Sequence, residues 1–237
     1  MTTTLITGAN KGLGFETARQ LIAADHTVYV GSRDPGRGRQ AAAQLGDRAR
    51  FVQLDITDDA SVEAAAKAIE ADGGLDVLVN NAGIEARTAD NGVIGAADLT
   101  ADMTRHQFET NVFGLVRVTH AFLPLLRKSA APIIVNVSSG LGSLAAMTDS
   151  ANLGYGYPGA EYPASKAAVD MLTVQYAKAL PAMRVNAVDP GYTRTDLNGN
   201  TGTQTTQQGA SVIVRMAQTA SDGPTGGFFD ANGAIPW

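Results

Sequence analysis

A tyrosine and a lysine four residues apart, Tyr162 and Lys166, have the clearest chemical use in this chain. Residues i and i+4 of a helix share one face, so the phenol and the ammonium are expected to point the same way. A free phenol has a pKa near ~10, and a fixed cation beside it lowers that pKa. The pair could therefore give a proton to a carbonyl oxygen or take one from an alcohol. Taken alone, this spacing is common and usually marks a surface pair on a helix.

Polar residues at three other places accompany this pair. Asn-Val-Ser-Ser-Gly at 136–140 ends one predicted strand, Asn-Asn-Ala-Gly at 80–83 ends another, and Asn111 lies in a predicted helix. Each also has a simpler interpretation, because such strand ends are often turns and Asn111 could be a satisfied buried amide. Their occurrence together favours a catalytic site over coincidence.

A glycine-rich turn lies near the start of the chain, where a short apolar run enters Gly8, Gly12 and Gly14 and a helical pattern follows. A strand that leads into a helix through bare glycines brings backbone N–H groups against an anionic ligand. The spacing is Gly-x-x-x-Gly-x-Gly rather than the commoner Gly-x-Gly-x-x-Gly, and a flexible loop is the alternative interpretation. The flanking strand and helix favour a pyrophosphate site.

The end of the second predicted strand indicates which dinucleotide is bound. Arg33 stands where an acidic residue usually binds the ribose hydroxyls, and a guanidinium suits a 2′-phosphate. Lys11 and Arg37 could join it. Asp34 could instead bind a ribose hydroxyl, but its place before Pro35 predicts a helix cap. NADP(H) is therefore expected rather than NAD(H).

The elements that must position these residues alternate between strands and helices. Strands are expected at 2–7, 27–32, 50–54, 77–80, 133–138, 184–188 and 227–229, and helices at 12–24, 35–45, 59–71, 105–128, 160–179 and 205–219. Such alternation implies parallel pairing, and unbroken apolar runs indicate strands covered on both faces. We predict a single α/β domain over residues 1–237. Its fold is a Rossmann-type doubly wound parallel sheet of about seven strands, in the order 3-2-1-4-5-6-7, with helices on both faces.

The composition argues against several classes of protein. With 44% hydrophobic and 17% charged residues the chain is typical of a globular protein, and it has no apolar stretch that could span a membrane and no basic leader. A cytoplasmic protein without a membrane partner is therefore expected. The net charge of −5 also argues against a nucleic-acid partner. The chain has no cysteine, and its three histidines lie far apart, so no metal site is predicted.

These motifs together resemble the short-chain dehydrogenase/reductase family along essentially the whole chain. The matching segments are the glycine turn at 7–14, Asn-Asn-Ala-Gly at 80–83, the Tyr162/Lys166 pair and Asp-Pro-Gly-Tyr-Thr-Arg-Thr at 189–195. Within the family the chain is most similar to the NADPH-dependent carbonyl reductases, through segments at 10–12, 32–34, 54–56 and 73–79 and the terminal Trp237.

The resemblance implies a role for each matching residue. Tyr162 would protonate the substrate oxygen, and Lys166 would lower the Tyr162 pKa and bind the nicotinamide ribose. Ser139 would polarise the carbonyl group, and Asn111 would hold a water in a proton relay to Lys166. The implied cofactor-binding residues are Gly8, Asn10, Lys11, Gly12, Leu13, Gly14, Arg33, Arg37, Asp55, Ile56, Asn81, Ala82, Gly83, Tyr162, Lys166, Pro190, Gly191, Thr193 and Thr195.

The chain departs from the family pattern between Ser139 and Tyr162, which lie further apart than in most members. Residues 140–161 and 198–208 are expected to form loops that cover the substrate, around a pocket that also includes residues 84–99. The added segment could instead cover a subunit surface, so a monomer, a homodimer and a tetramer all stay open.

The expected reaction is the NADPH-dependent reduction of a ketone or an aldehyde to an alcohol, with a small-molecule carbonyl or alcohol as the partner. Two alternatives remain. One is the NADP-dependent oxidation of a secondary alcohol in a biosynthetic pathway, in which the same residues act in reverse. The other is a sensor that binds NADP(H) without catalysis.

Overall fold

A computed structural model describes residues 2–88 and 92–237 of the chain. Its strands are β1 (Thr3–Ile6), β2 (Thr27–Ser32), β3 (Ala49–Gln53), β4 (Val77–Asn80), β5 (Ile133–Val137), β6 (Arg184–Val188), β7 (Phe228–Asp230) and β8 (Gly233–Ala234). They form one sheet in the order β3-β2-β1-β4-β5-β6-β7-β8. The predicted α/β fold and strand order are confirmed.

The sheet has one strand more than the predicted seven. Strands β1 to β7 pair in parallel, whereas β8 pairs with β7 in the antiparallel direction. Asp230 closes the turn between β7 and β8, because its carboxylate accepts from the backbone N–H groups of Asn232 at 2.7 Å and Gly233 at 3.0 Å. The sequence does not predict β8, because this two-residue strand has no apolar run.

Helices cover both faces of the sheet. They are α1 (Gly12–Ala23), α2 (Pro35–Leu45), α3 (Asp59–Ala71), α4 (Ala101–Phe108), α5 (Gly114–Leu126), α6 (Leu144–Thr148), α7 (Glu161–Ala179) and α8 (Thr206–Ala217). Successive strand residues face opposite sides. Leu5 and Leu78 therefore join a core that includes residues of α3 and α5, while Ile6 and Val79 join a second core that includes residues of α1 and α8.

Two predicted helix starts depend on aspartate caps. Asp34 accepts from the backbone N–H of Arg37 at 2.9 Å, with Pro35 in the first turn of α2, and Asp58 accepts from that of Ala60 at 2.9 Å at the start of α3. These contacts satisfy N–H groups that the first helical turn leaves without a partner. The prediction that Asp34 is a cap is confirmed.

The structure differs from the single helix predicted at 105–128. The observed helical segment begins earlier and is interrupted. It begins at Ala101 because the Thr100 hydroxyl accepts from the N–H of Met103 at 3.3 Å and caps the first turn. A π-helical turn, Glu109–Phe113, then separates α4 from α5. Turns of this type often occur at functional sites, and this one contains Asn111.

The segment at 140–161 has more regular structure than the predicted loop. It contains 3-10 turns at Gly140–Gly142 and Leu153–Gly156, with α6 between them. The C-terminal residues hold α6 in place, since Ala145 donates its N–H to the Trp237 carbonyl oxygen at 2.9 Å and the Trp237 ring stacks on Phe228. Residues 89–91, within the pocket segment expected at 84–99, lie outside the described residues. None of the described helices combines the length and apolar character needed to cross a membrane.

Candidate active site

The candidate site lies at the carboxyl edge of the sheet. The glycine turn follows β1, Asn81 follows β4, Ser139 lies two residues after β5, and the segment at 189–195 follows β6. The strand order reverses between β1 and β4, and open α/β sheets bind their ligands at this kind of switch point. Tyr162 and Lys166 reach this edge from the first turns of α7.

Tyr162 and Lys166 lie close together and are buried, with 9% and 6% of their surfaces exposed. The Lys166 Nζ lies 5.6 Å from the centroid of the Tyr162 ring. It donates a hydrogen bond to the carbonyl oxygen of Val137 at 2.8 Å. The ammonium is therefore fixed between the end of β5 and the tyrosine ring.

Burial raises the pKa of Tyr162 well above its usual value, and the negative charge of Glu85 raises it further. The hydrogen bond with the Ser139 hydroxyl and the charge of Arg87 lower that pKa by smaller amounts. Burial outweighs the effects that lower this pKa, and the Lys166 ammonium is directed to a backbone carbonyl. The lowering effect of Lys166 on the Tyr162 pKa, which the resemblance implies, stays a prediction.

Burial lowers the pKa of Lys166 to about 8, because the charged ammonium has left water. Asp170 and Asp189 act in the opposite direction and favour the charged form. Lys166 therefore stays largely protonated at neutral pH.

Asn111 uses its side chain to hold the loop that follows β4. Its Oδ1 accepts from the N–H of Ile84 at 2.9 Å, and its Nδ2 donates to the Ile84 carbonyl oxygen and to the Ser165 Oγ, each at 3.0 Å. This geometry matches the simpler interpretation of a satisfied buried amide. The water-binding role that the resemblance implies stays a prediction.

Gln107 supports the same loop and was not identified from the sequence. Its Oε1 accepts from the N–H of Ala86 at 3.0 Å, and its Nε2 donates to the carbonyl oxygen of Ile84. The available signal was its spacing, because Gln107 precedes Asn111 by four residues, the spacing that places two side chains on one helix face.

The glycine turn contains Gly8, Asn10 and Lys11, and Gly12, Leu13 and Gly14 begin α1. Gly8 and Gly12 have φ values of +66° and +57°, which favour glycine. A Cβ on Gly14 would lie only 2.6 Å from the Asn81 Nδ2. That amide donates to the Thr7 carbonyl oxygen at 2.8 Å, so the glycine turn and the segment after β4 are joined directly.

The Asn-Asn-Ala-Gly motif connects neighbouring strands. The Thr7 Oγ1 accepts from the N–H groups of Asn81 at 3.0 Å and Ala82 at 2.9 Å. Asn80 donates to the Asn136 Oδ1 at 2.9 Å across β4 and β5. Gly83 lies near Asn111, since a Cβ at this glycine would be 3.3 Å from the Asn111 Oδ1.

The three predicted phosphate-binding cations differ in their partners. Lys11 forms an ion pair with Asp196 at 2.8 Å, and the Arg37 Nε lies 3.7 Å from the Asp34 Oδ2. Arg33 is exposed and forms no ion pair or hydrogen bond within residues 2–88 and 92–237. Arg33 is thus the cation of this group that could meet an incoming phosphate without first leaving an acidic partner.

Asp55 and Ile56 lie beyond the end of β3. Burial acts to raise the pKa of Asp55, but its hydrogen bonds from the Thr57 N–H and hydroxyl, helped by the charge of Arg33, lower the pKa below its usual value. Ile56 is buried and packs against Gly114, where an added Cβ would lie 2.7 Å from the Ile56 Cδ1.

The segment after β6 folds back against the glycine turn. Gly191 has a φ of +70° and donates its N–H to the Asp189 carboxylate at 2.9 Å, while the Thr193 hydroxyl donates to the Pro190 carbonyl oxygen at 3.0 Å. Thr195 reaches the first turn of α1, since a Cβ on Gly12 would lie 3.6 Å from its methyl group.

A second group of polar residues near Tyr162 was not identified from the sequence. The Tyr157 hydroxyl donates to the Glu85 Oε1 at 2.6 Å, and the Arg87 Nη2 donates to the Glu85 Oε2 at 2.6 Å. The side chain of Glu85 is only 6% exposed. A charged residue directly after Asn-Asn-Ala-Gly-Ile was the available signal, but the contact with Tyr157 spans 72 residues and no local pattern indicates it.

Comparisons with known proteins agree with this arrangement. A family model described as short chain dehydrogenase matches residues 2–206. (+)-Neomenthol dehydrogenase from Capsicum annuum is 32% identical over 295 aligned positions, which cover 95% of this chain and 94% of that protein. Because the alignment is longer than the 237-residue chain, that relative has residues that this chain lacks.

Two solved structures have the same fold. Salutaridine reductase from Papaver somniferum aligns with a TM-score of 0.84 and 30% identity, over 97% of this chain and 99% of that chain. An NADPH-bound carbonyl reductase from chicken fatty liver aligns with a TM-score of 0.86 and 27% identity, over 100% and 99% of the two chains. The family model and the relatives confirm the resemblance found in the sequence, and the chain belongs to the short chain dehydrogenase family.

Proposed function

We propose that this protein reduces a ketone or an aldehyde to an alcohol, with NADPH as the hydride source and Tyr162 as the proton donor. The observation that carries this proposal is the buried phenol of Tyr162, whose pKa is raised by burial and by Glu85. Such a phenol is protonated at neutral pH and can give its proton to a developing alkoxide. Oxidation of an alcohol would start from the phenolate instead, so with this raised pKa it would need a higher pH than reduction.

Ser139 supports this role by its position beside Tyr162. Its Oγ accepts from the N–H of Leu141 at 3.2 Å, and its hydroxyl could turn its hydrogen from Tyr162 to a substrate oxygen. The pKa of Tyr162 is lowered by its hydrogen bond with this hydroxyl, so the two groups lie within reach of one oxygen atom. Ser139 would therefore donate to the substrate carbonyl and increase its polarity before Tyr162 gives up its proton.

The opposite end of the site fits the phosphates of NADP(H). Gly8 and Gly12 expose the backbone at the start of α1, where a helix N-terminus would hold the pyrophosphate. Arg33 would pair with the 2′-phosphate, and the NADPH-bound state of the similar chicken carbonyl reductase supports this choice. When bound, NADPH supplies a hydride to the carbonyl carbon. Lys166 would hold the nicotinamide ribose in the place that the family resemblance implies.

The test follows NADPH absorbance with a panel of ketones and aldehydes. We expect turnover by the wild-type protein, and a loss of kcat of about 10²–10⁴-fold in Tyr162→Phe, the usual contribution of a general acid. NADPH binding, measured by fluorescence, should be retained in this variant.

Tyr176→Phe is the matched control for this experiment. Tyr176 lies on the same helix, and burial raises the pKa of its phenol as well, but it packs against the core instead of the site. Removal of the Tyr176 hydroxyl should leave kcat unchanged. Undiminished turnover by Tyr162→Phe would refute the proposed acid, and NADPH binding without turnover of any carbonyl would favour the sensor.

A further inference from the structure

Asp170 is a buried acid for which the proposed reaction has no use so far. It lies four residues after Lys166, which itself lies four residues after Tyr162, so the three side chains follow one face of α7. Asp170 is 5% exposed. Neither of its carboxylate oxygens has a hydrogen-bond partner within the described part of the chain.

Such a carboxyl group is costly, because it has left water without a hydrogen bond of normal geometry, and the Ser138 hydroxyl near it donates to the Lys166 carbonyl oxygen at 3.3 Å. The fold nevertheless makes room for it. A Cβ on Gly142 would lie 2.7 Å from the Asp170 Oδ2 and 2.9 Å from the Lys166 Cβ. Gly142 therefore leaves the space that Asp170 fills, directly beneath the turn that follows Ser139.

The charged groups around Asp170 come from two elements. Lys166 lies on the same helix, and Asp189 follows β6. Burial raises the pKa of Asp170 to about 7, the Ser138 hydroxyl and the Lys166 ammonium lower it, and Asp189 raises it. Asp170 is in turn the group that does most to keep the pKa of Lys166 from falling further.

Asp189 is less suited than Asp170 to act as the counter-charge of the Lys166 ammonium. The N–H groups of Gly191 and Gly140 already hydrogen-bond to its carboxylate, and its pKa is also influenced by Asp230 in β7. Within residues 2–88 and 92–237, no backbone N–H donates to Asp170. Lys166 is the cation beside its carboxylate, although the ammonium and the carboxylate do not approach within 4.0 Å of each other.

We propose that Asp170 is a positioning residue of the reaction, a buried counter-charge that keeps Lys166 protonated and its ammonium on the carbonyl of Val137. The proposal rests on the proposed function, in which Lys166 must be charged to hold the ribose beside Tyr162. Asp170 lies one helical turn further along α7 than Lys166, and it would act on the reaction through Lys166.

The first test measures Lys166 directly in the cofactor-free protein. Lysine side chains labelled with ¹³C at Cε are titrated by NMR, and the Lys166 signal is assigned from its loss in Lys166→Met. In Asp170→Asn we expect the Lys166 midpoint to fall by about one pH unit, as for the loss of a nearby opposite charge. An unchanged midpoint would overturn the proposal.

Asp76→Asn is the matched control. Asp76 is a partly buried acid at the amino end of β4, where it accepts from the Thr3 N–H at 2.8 Å and the Ser129 hydroxyl at 2.6 Å. This variant should leave the Lys166 midpoint unchanged. If Asp170→Asn does not fold, Asp170→Ala gives the same measurement, because it too removes the charge.

The second test is the pH profile of kcat/KM. Loss of the counter-charge should move the alkaline limb of Asp170→Asn to lower pH by the same amount as the NMR midpoint. A fall in activity at every pH with unmoved limbs would show a merely structural role and would contradict the proposal. If the wild-type protein has no turnover, the proposed function fails, while the NMR titration still decides whether Asp170 controls Lys166.

Discussion

At the scale of single residues, the site is governed by how burial changes proton affinities. Tyr162 and Lys166 are both removed from water, and this raises the pKa of the phenol and lowers that of the ammonium. The two shifts keep the phenol protonated and bring the Lys166 pKa closer to neutral pH. Glu85 reinforces the first shift, and Asp170 opposes the second.

We also predict that one residue, Arg33, decides the choice of cofactor. Arg33→Ala should raise the NADPH dissociation constant about tenfold, because a charge-assisted contact with the 2′-phosphate is lost, and should leave NADH binding almost unchanged. Lys11→Ala should have a smaller effect, since Lys11 is already paired with Asp196. Fluorescence titration measures all these constants.

Arg39→Ala is the control for the loss of a nearby positive charge. Arg39 is exposed on α2, and its guanidinium lies 5.3 Å from the centroid of the Phe51 ring. Its removal should leave NADPH binding within error of the wild type. An Arg33→Ala variant that binds NADPH as tightly as the wild type would refute the assignment.

At the scale of elements, the π-helical turn between α4 and α5 determines how the loop after β4 is held. Gln107 and Asn111 both contact the backbone of Ile84 from this region. A continuous helix was predicted here because apolar periodicity does not distinguish an α-helical turn from a π-helical one. The extra residue of the π-helical turn is accommodated by tertiary contacts, which the sequence pattern does not show.

The Gln107 contacts predict a measurable contribution to stability. Gln107→Ala would leave the N–H of Ala86 without its side-chain acceptor, and Gln107 is fully buried. We expect the free energy of unfolding to fall by about 1–3 kcal/mol, with a loss of kcat because Glu85 lies in the same loop. Urea denaturation and NADPH turnover measure the two effects.

Gln175→Ala is the matched glutamine control. Gln175 is exposed on α7, where its amide lies 3.7 Å from the Met171 sulfur. Its loss should change the free energy of unfolding by less than about 0.5 kcal/mol. Equal effects of the two substitutions would show that the loop does not depend on Gln107.

At the scale of the whole molecule, local patterns predicted the parallel sheet well, because buried strands and capped helices depend on neighbouring residues. Asp34 and Pro35 are an example, since the cap follows from two adjacent residue types. The contact between Glu85 and Tyr157 depends instead on how two distant loops meet at the sheet edge. Burial of Asp170 and its effect on Lys166 likewise required the packed structure.

Global stability should depend on pH through His26. This residue is 6% exposed, its Nδ1 lies 2.8 Å from the Thr4 Oγ1, and burial lowers its pKa while Asp76 acts in the opposite direction. The unfolded chain therefore binds this proton first, and the stability contribution present above pH ~6.5 is lost as the pH falls below that value.

His26→Gln should flatten the fall in the free energy of unfolding between pH ~6.5 and ~5, measured by urea denaturation at several pH values. His106→Gln, a change at an exposed position of α4, is the control and should keep the wild-type slope. A slope that is identical in His26→Gln and the wild type would show that another group controls acid stability.

The ion pair between Lys11 and Asp196 should change how the NADPH affinity depends on ionic strength. Both side chains are more than half exposed, and they join the glycine turn to the segment after β6 across 185 residues of sequence. Added salt screens this contact and also weakens the attraction of Arg33 for a phosphate. The first effect frees Lys11 and the second opposes binding, so the NADPH affinity should vary less steeply with salt than the charge of Arg33 alone would suggest.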